Sequence, residues 1–301
     1  TSRPARQVMS FSNYEQTVII DSVALSGVID VNGSYGISER PIRAAGVGFI
    51  DALVDKPLEG NFTMNRKMVS NDPLLKMNVI GDYLYDERFI SGAILFDNNT
   101  KGFGFTKARV TRYSVSCTVG DLPDIQTDFT VFGNLGSGVM IQEATETHPP
   151  IQFPSQGSIS VNVGDFTVDS ITDFSYSRGL NLQPVYALPR GTASDFASAD
   201  PASVPNLDPV QVDTLYPIET DINFTMIAHE YQARKMKDNL QRAPKTDVAI
   251  EIRDSQDNTM INSFTGKNVR LIGETTSAST DGELTISLTY KGYETLHNPV
   301  S

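Results

Sequence analysis

Arg109-Val-Thr-Arg-Tyr-Ser-Val-Ser-Cys-Thr-Val119 and Glu283-Leu-Thr-Ile-Ser-Leu-Thr-Tyr290 alternate β-branched, aromatic and leucine residues with small polar ones. Successive side chains of a strand point to opposite faces, so this period of two describes strands with one buried and one wet face. Antiparallel sheets suit such strands. Around them, Ala93-Ile-Leu-Phe-Asp97 runs into the polar turn Asn98-Asn-Thr-Lys-Gly102, and Ala249-Ile-Glu-Ile-Arg-Asp254 runs into Ser255-Gln-Asp-Asn258. Each reads as the first arm of a hairpin. Further turns are expected around Asp121 and Asp281-Gly282, so the pattern predicts packed sheets or a closed barrel.

Composition agrees. The 301 residues include 22 Gly, 16 Pro and no Trp, a balance that favours turns and strands over long helices. The formal net charge of −12 argues against a surface that holds nucleic acid by neutralising phosphates. Both halves lean acidic, with 17 acids against 13 bases in residues 1–150 and 19 against 11 in 151–301. No stretch approaches the roughly 20 apolar residues that cross a bilayer as a helix, and Thr1 to Ser12 lacks the apolar core of a signal peptide. No membrane association and no secretion are therefore expected. The single cysteine, Cys117, sits inside an alternating run and is expected to pack on a strand face.

The chain repeats itself. Asn61-Phe-Thr-Met64 recurs as Asn223-Phe-Thr-Met226, 162 residues later, and each copy follows a Pro-containing acidic segment, Lys56-Pro-Leu-Glu59 or Tyr216-Pro-Ile-Glu219. After each hairpin comes Phe105-Thr-Lys-Ala-Arg-Val110 or Phe264-Thr-Gly-Lys-Asn-Val-Arg-Leu271, then a closing strand, Phe129-Thr-Val-Phe-Gly133 or Leu288-Thr-Tyr-Lys-Gly292. The same order twice predicts a duplication of about 150 residues. It divides the chain into a β domain at 1–135, a Gly- and Pro-containing linker at 136–157, and a second β domain at 158–301. One helix is expected in each half: Ile227 to Leu240, with Ile227, Tyr231, Met236 and Leu240 near one flank, and a counterpart over Arg66 to Met77 interrupted by Pro73.

Chemistry is hard to find. His229-Glu230 resembles the opening of a zinc-protease motif, but Ala233 stands where the second histidine is needed. Asp97 to Gly102 begins like a calcium loop, yet Ala108 occupies the place of its bidentate Glu. Neither His148 nor His297 has triad or metal spacing. Phosphate-cradling glycine loops and a nucleophile elbow are missing from the sequence. The expectation is a protein with no catalytic residues, no metal and no cofactor.

The ordered series of a long loop, a Phe-Thr strand, a short helix, a hairpin and an Ala-Arg-Val or Val-Arg-Leu strand resembles the tail-tube fold of tailed bacteriophages, here in two copies. In the first half the resemblance rests on Gly46-Val-Gly-Phe-Ile50, Lys56 to Met64, Ile94 to Asp97, Ala108 to Val110 and Thr127 to Gly133; in the second it rests on Ile218 to Met226, Ile250 to Asp254 and Asn268 to Leu271. It covers about three quarters of the chain through structural patterns. The resemblance implies two tandem tail-tube-like β-sandwich or barrel domains in an all-β chain, and a homo-oligomer in which three copies close a pseudo-sixfold ring. Stacked rings would form a virion tube made in the host cytoplasm, an acidic-lumened conduit that double-stranded DNA crosses without specific binding. Tape-measure, baseplate or hub and sheath proteins are its implied partners. The long segments Ser38 to Val54 and Leu188 to Pro209 would touch the adjacent ring, through Ile42, Val47, Phe49, Leu188, Phe196 and Val204. Two alternatives stay open: a baseplate hub or tube initiator forming one ring, and a tandem β-sandwich that grips carbohydrate or a cell surface.

Overall fold

A computed structural model describes residues 17–36, 39–41, 53–55, 59–68, 72, 74–75, 89–96, 101–118, 120–137, 139, 144, 146–147, 159–186, 209–228, 245–254, 258–278 and 283–294. In chain order the first half contributes β1 (Thr17–Ile20), β2 (Val23–Leu25), β3 (Val28–Gly36), β4 (Glu39–Pro41), β5 (Leu53–Asp55), β6 (Glu59–Lys67), β7 (Ile90–Phe96), β8 (Lys101–Thr118), β9 (Asp124–Val131), β10 (Leu135–Ser137) and β11 (Glu146–Thr147). The second half contributes β12 (Ile159–Val163), β13 (Phe166–Val168), β14 (Ile171–Val185), β15 (Gln211–Ile227), β16 (Thr246–Arg253), β17 (Met260–Ser277) and β18 (Thr285–Glu294). The chain is all-β, and sixteen of these strands join one hydrogen-bonded network, with β4 and β5 paired separately.

The halves follow one order of pairing. In the first, neighbours run β3-β6-β9-β8-β7-β1-β2, and in the second β14-β15-β18-β17-β16-β12-β13. Irregularities coincide as well. The extra residue between Val28 and Asp30 answers that between Ile171 and Asp173, and the one between Val110 and Arg112 answers that between Leu271 and Gly273. Lys107 and Asn268, three residues before the second pair of bulges begins, are both left-handed, at φ 50° and 54°. At the strand ends, the Met68 amide donates to the Pro123 carbonyl at 2.9 Å and the Ala228 amide to the Leu284 carbonyl at 2.8 Å.

These anchors set Met68 against Ala228, and so displace the Asn-Phe-Thr-Met tetrapeptides by two residues from the structural match. Phe62 pairs with Phe129 across β6 and β9, whereas Phe224 pairs with Leu288 across β15 and β18. A shift of two keeps each side chain on its own face, so both tetrapeptides still bury Phe and Met.

The core follows from the alternation. Phe62, Phe105 and Phe129 meet with ring centroids 4.7 to 5.9 Å apart in the first half, and Phe224 stacks on Tyr290 at 5.9 Å in the second. Each such buried ring contributes about 1.5–3 kcal/mol. Gly92 lies beneath this packing: a Cβ there would sit 2.5 Å from Ile20 Cδ1 and 2.6 Å from Phe105 Cζ. The β1–β2 hairpin turns through Asp21 and Ser22, both with positive φ, as a two-residue loop requires.

The helical expectation needs correction. Arg66 and Lys67 close β6, because Phe62, Met64, Arg66 and Met68 continue one inward-facing series. Ile227 likewise ends β15. Among the described residues only Leu74, Leu75 and Ala228 are helical; Met68 and Asp72 are not, and the remainder of both predicted helices lies outside the described residues. The segment expected as a linker carries paired strands: β10 bonds to β8, and β11 pairs in parallel with β2.

Candidate assembly edges and the polar face between them

The halves meet edge to edge. Along its length β8 exchanges one neighbour for another: β7 occupies one edge as far as Ala108, and β14 takes over that edge from Arg112 to Thr118. The register runs from Gly179 opposite Arg112 to Asp173 opposite Thr118. Between these limits Tyr113, Val115, Cys117, Phe174, Tyr176 and Arg178 are all buried. Arg109 adds a tie across the junction, donating from Nη1 to the Val212 carbonyl at 2.7 Å and from Nη2 to Thr214 Oγ1 at 3.2 Å. It thereby holds the start of β15 against the first half.

The two strands that occupy the corresponding places without such a neighbour are β3, the counterpart of β14, and Arg270–Ser277 of β17, the counterpart of the last turnless stretch of β8. Among the described residues, β3 pairs only with β6, and Arg270–Ser277 only with β18. Both outer edges therefore present backbone N–H and C=O groups without a strand partner. They also present apolar side chains: Ile29 is 58% exposed, Tyr35 53% and Ile272 59%. Ile29 and Ile272 are the extra residues of their bulges, and at the internal junction the same places hold Thr172 and Thr111.

Between these edges the wet face of the network is continuous. One row crosses it through Asn65, Gln126, Ser114, Ser177, Asp221 and Lys291, each opposite the next. A parallel row carries Lys67, Asp124, Ser116, Ser175, Asn223 and Thr289. The halves share a cleft of about 480 Å³ here, lined by Arg112, Ser114, Ser116, Ser175, Ser177, Asp221 and Asn223 among others. Short side chains bond to one another across neighbouring strands: Asn223 Nδ2 to Ser175 Oγ at 3.2 Å, Thr225 Oγ1 to Asp173 Oδ1 at 3.0 Å, and Thr225 with Ser287 at 2.8 Å.

Charge on this face leans negative. Two of its cations are matched by acids, since Lys67 lies 2.6 Å from Asp124 and Lys291 lies 3.1 Å from Glu219 and 3.8 Å from Asp221, while Arg112 is exposed beside the cleft. The bond to Glu219, and then the Asp221 charge, raise the Lys291 pKa. Lys291 therefore stays charged, and both lysines are already partnered by carboxylates. A phosphate chain would meet a face rich in hydroxyls and amides, with carboxylates beside these two ammonium groups.

Beneath the face lies a buried polar group that the sequence reading did not single out. Asp72 accepts from Arg66 Nη2, from the Tyr113 hydroxyl at 2.6 Å and from the Leu74 amide at 2.9 Å. All three side chains are at most 1% exposed. Burial, and then the Asp72 charge, push the Tyr113 phenol well above its ordinary value, so it stays a donor. The arrangement fastens the segment after β6 to β8.

Cys117 packs on its strand face, 7% exposed, as its alternating run predicts. Burial, then Asp121 and Asp124, push its thiol up to about 11. No group of three His, Cys, Asp or Glu residues able to hold a metal occurs among the described residues. Ile42, Val47, Phe49, Leu188, Phe196 and Val204, expected at ring contacts, all lie outside the described residues. So do His229, His148 and His297. No residue pattern signals the two open edges directly, because which strand edge goes unpaired depends on long-range register. Neither a scan against models of protein families nor a search of curated proteins finds a match to this chain.

Proposed function

We propose that this chain is a structural subunit of a bacteriophage tail tube, built by duplication of a β domain, whose work is its own assembly. The observation that carries this reading is the β8·β14 junction: a half-to-half joint made by sheet edges, with the counterpart edges unpaired among the described residues. A sheet domain with open edges must cover them or risk uncontrolled pairing, and closure into a ring of copies removes every edge at once. Three chains, each with two halves, would close a pseudo-sixfold ring, and rings would stack.

In such a ring the continuous polar face would line the lumen. Its hydroxyls, amides and excess of carboxylates favour passage of double-stranded DNA over retention, since tight non-specific binding needs cations to replace phosphate counterions. Tape-measure, hub and sheath proteins remain the partners that this role implies, with the virion tail as its place.

Negative-stain electron microscopy of the purified chain, over a range of concentration and salt and together with solution mass, tests the assignment. Stacked rings or tubes with a central hole are expected. A particle that stays a monomer at every concentration would overturn it.

A further inference from the structure

We infer that the outer edge of β3 pairs antiparallel with the Arg270–Ser277 edge of a second copy, in the register that β14 and β8 already use inside the chain. The inference deepens the assembly reading by fixing which residues face each other.

The register is obtained by transferring matched landmarks. The bulge after Val28 matches the bulge after Ile171, which sets Asn32 against Ser175, Gly33 against Tyr176, Ser34 against Ser177 and Gly36 against Gly179. The left-handed pair Lys107 and Asn268, with the bulges that follow, sets Arg112 against Gly273, Ser114 against Thr275 and Ser116 against Ser277. Within the chain, Gly179 faces Arg112, Ser177 faces Ser114 and Ser175 faces Ser116. Between copies, Gly36 therefore faces Gly273, Ser34 faces Thr275 and Asn32 faces Ser277.

Side-chain chemistry fits that alignment. Ser34 and Thr275 continue the wet face, since their counterparts Ser177 and Ser114 both line the shared cleft. On the opposite face Gly33 would lie across from Thr276, and Tyr35 across from Glu274. Exposure differs between the two settings in the direction that covering predicts. Phe174, Tyr176 and Arg178 are buried at the internal joint, while Val31 and Gly33 are half-buried and Tyr35 is 53% exposed at the open edge. Val115 is buried, whereas its counterpart Thr276 is exposed.

Cysteine pairing on the full chain tests the register. Two single variants, Ser34→Cys and Thr275→Cys, are mixed under assembling conditions and oxidised, so that only a bond between copies gives a covalent dimer. Shifted mixtures, Ser34→Cys with Ser277→Cys and Asn32→Cys with Thr275→Cys, serve as comparisons. Cys117, buried and held as a thiol, supplies a low background that the unaltered chain measures. The aligned mixture is expected to cross-link at least about tenfold faster than either shifted one, because directly opposite Cβ atoms lie closest.

Tubes that form while the aligned pair fails to cross-link, or while a shifted pair wins, overturn this register and leave the tube reading standing. Aligned cross-links in oligomers that never stack support the register and count against a tube. A monomer without cross-links overturns both.

Discussion

Replacing Asp72 by Asn exchanges one oxygen for an NH2 group and removes one charge from the most enclosed polar group in the first half. Arg66 is fully buried, and among the described residues its Nε and Nη1 have no hydrogen-bond partner, so the guanidinium depends on Asp72 alone. An Asn side chain can keep the Leu74 amide bond through its carbonyl oxygen, which now stands at 2.9 Å from Oδ1. At the other position an NH2 group would face the Arg66 and Tyr113 donors. The Tyr113 hydroxyl can rotate away, but the guanidinium cannot. Breaking a buried pair on one side costs about 3–5 kcal/mol, because an uncompensated charge remains. That is a large part of the roughly 5–15 kcal/mol that holds a domain folded. Urea unfolding of Asp72→Asn, followed by circular dichroism and by tyrosine emission in a chain without Trp, should show a loss of that size. The double variant Arg66→Met with Asp72→Asn should recover about 2 kcal/mol or more of it, since no buried charge is left. A single variant that loses under about 1 kcal/mol, or a double variant no more stable than the single, would refute the claim that Arg66 is held by Asp72.

Two further outcomes are expected. Arg109→Met removes the bonds to Val212 and Thr214 while keeping much of the side-chain bulk; amide exchange in Gln211–Leu215 should accelerate about 10- to 100-fold, the equivalent of the 1.5–3 kcal/mol typical of hydrogen bonds from a charged group, and unchanged exchange would show that the tie is idle. The Tyr113 phenol is raised in the folded chain, so its contribution is complete below its ordinary value of 10.0 and is lost as pH rises from there toward the folded value. Urea midpoints measured from about pH 8 to pH 11 should fall more steeply for the unaltered chain than for Tyr113→Phe, and parallel curves would contradict the shift.

Much of the fold was legible because it is local. Alternation in Tyr113 to Cys117 and in Ile286 to Tyr290 marks faces that the structure buries as expected, while Leu284, at the head of the second series, stays exposed. The two hairpins β7–β8 and β16–β17 also follow from their turns. Arg66 misled the reading, because a cation in a polar stretch looks like a helix surface. Its place two residues after Met64 set it inward instead, where it needs Asp72. The tetrapeptide repeat found the right strands but the wrong register, since packing constrains only which face a residue occupies and a slip of two satisfies it. The joint between the halves was not legible at all. Nothing near Ser175 or Ser116 says that these residues will be neighbours; only the bulges and the left-handed Lys107 and Asn268, which are backbone events, reveal how one joint maps onto the other.

The β8·β14 joint also sets when each edge can close. The chain between Thr118 and Ile171 tethers the internal partners, so they see each other at an effective concentration on the order of millimolar, whatever the protein concentration. The outer edges have no tether. With similar strands in a similar register, the internal joint is made in every molecule, whereas the proposed outer joint would wait on the number of molecules present. On the proposed register, a single kind of contact used once within the chain and once between chains would yield a subunit that is finished when it folds and a polymer that starts only above a threshold supply.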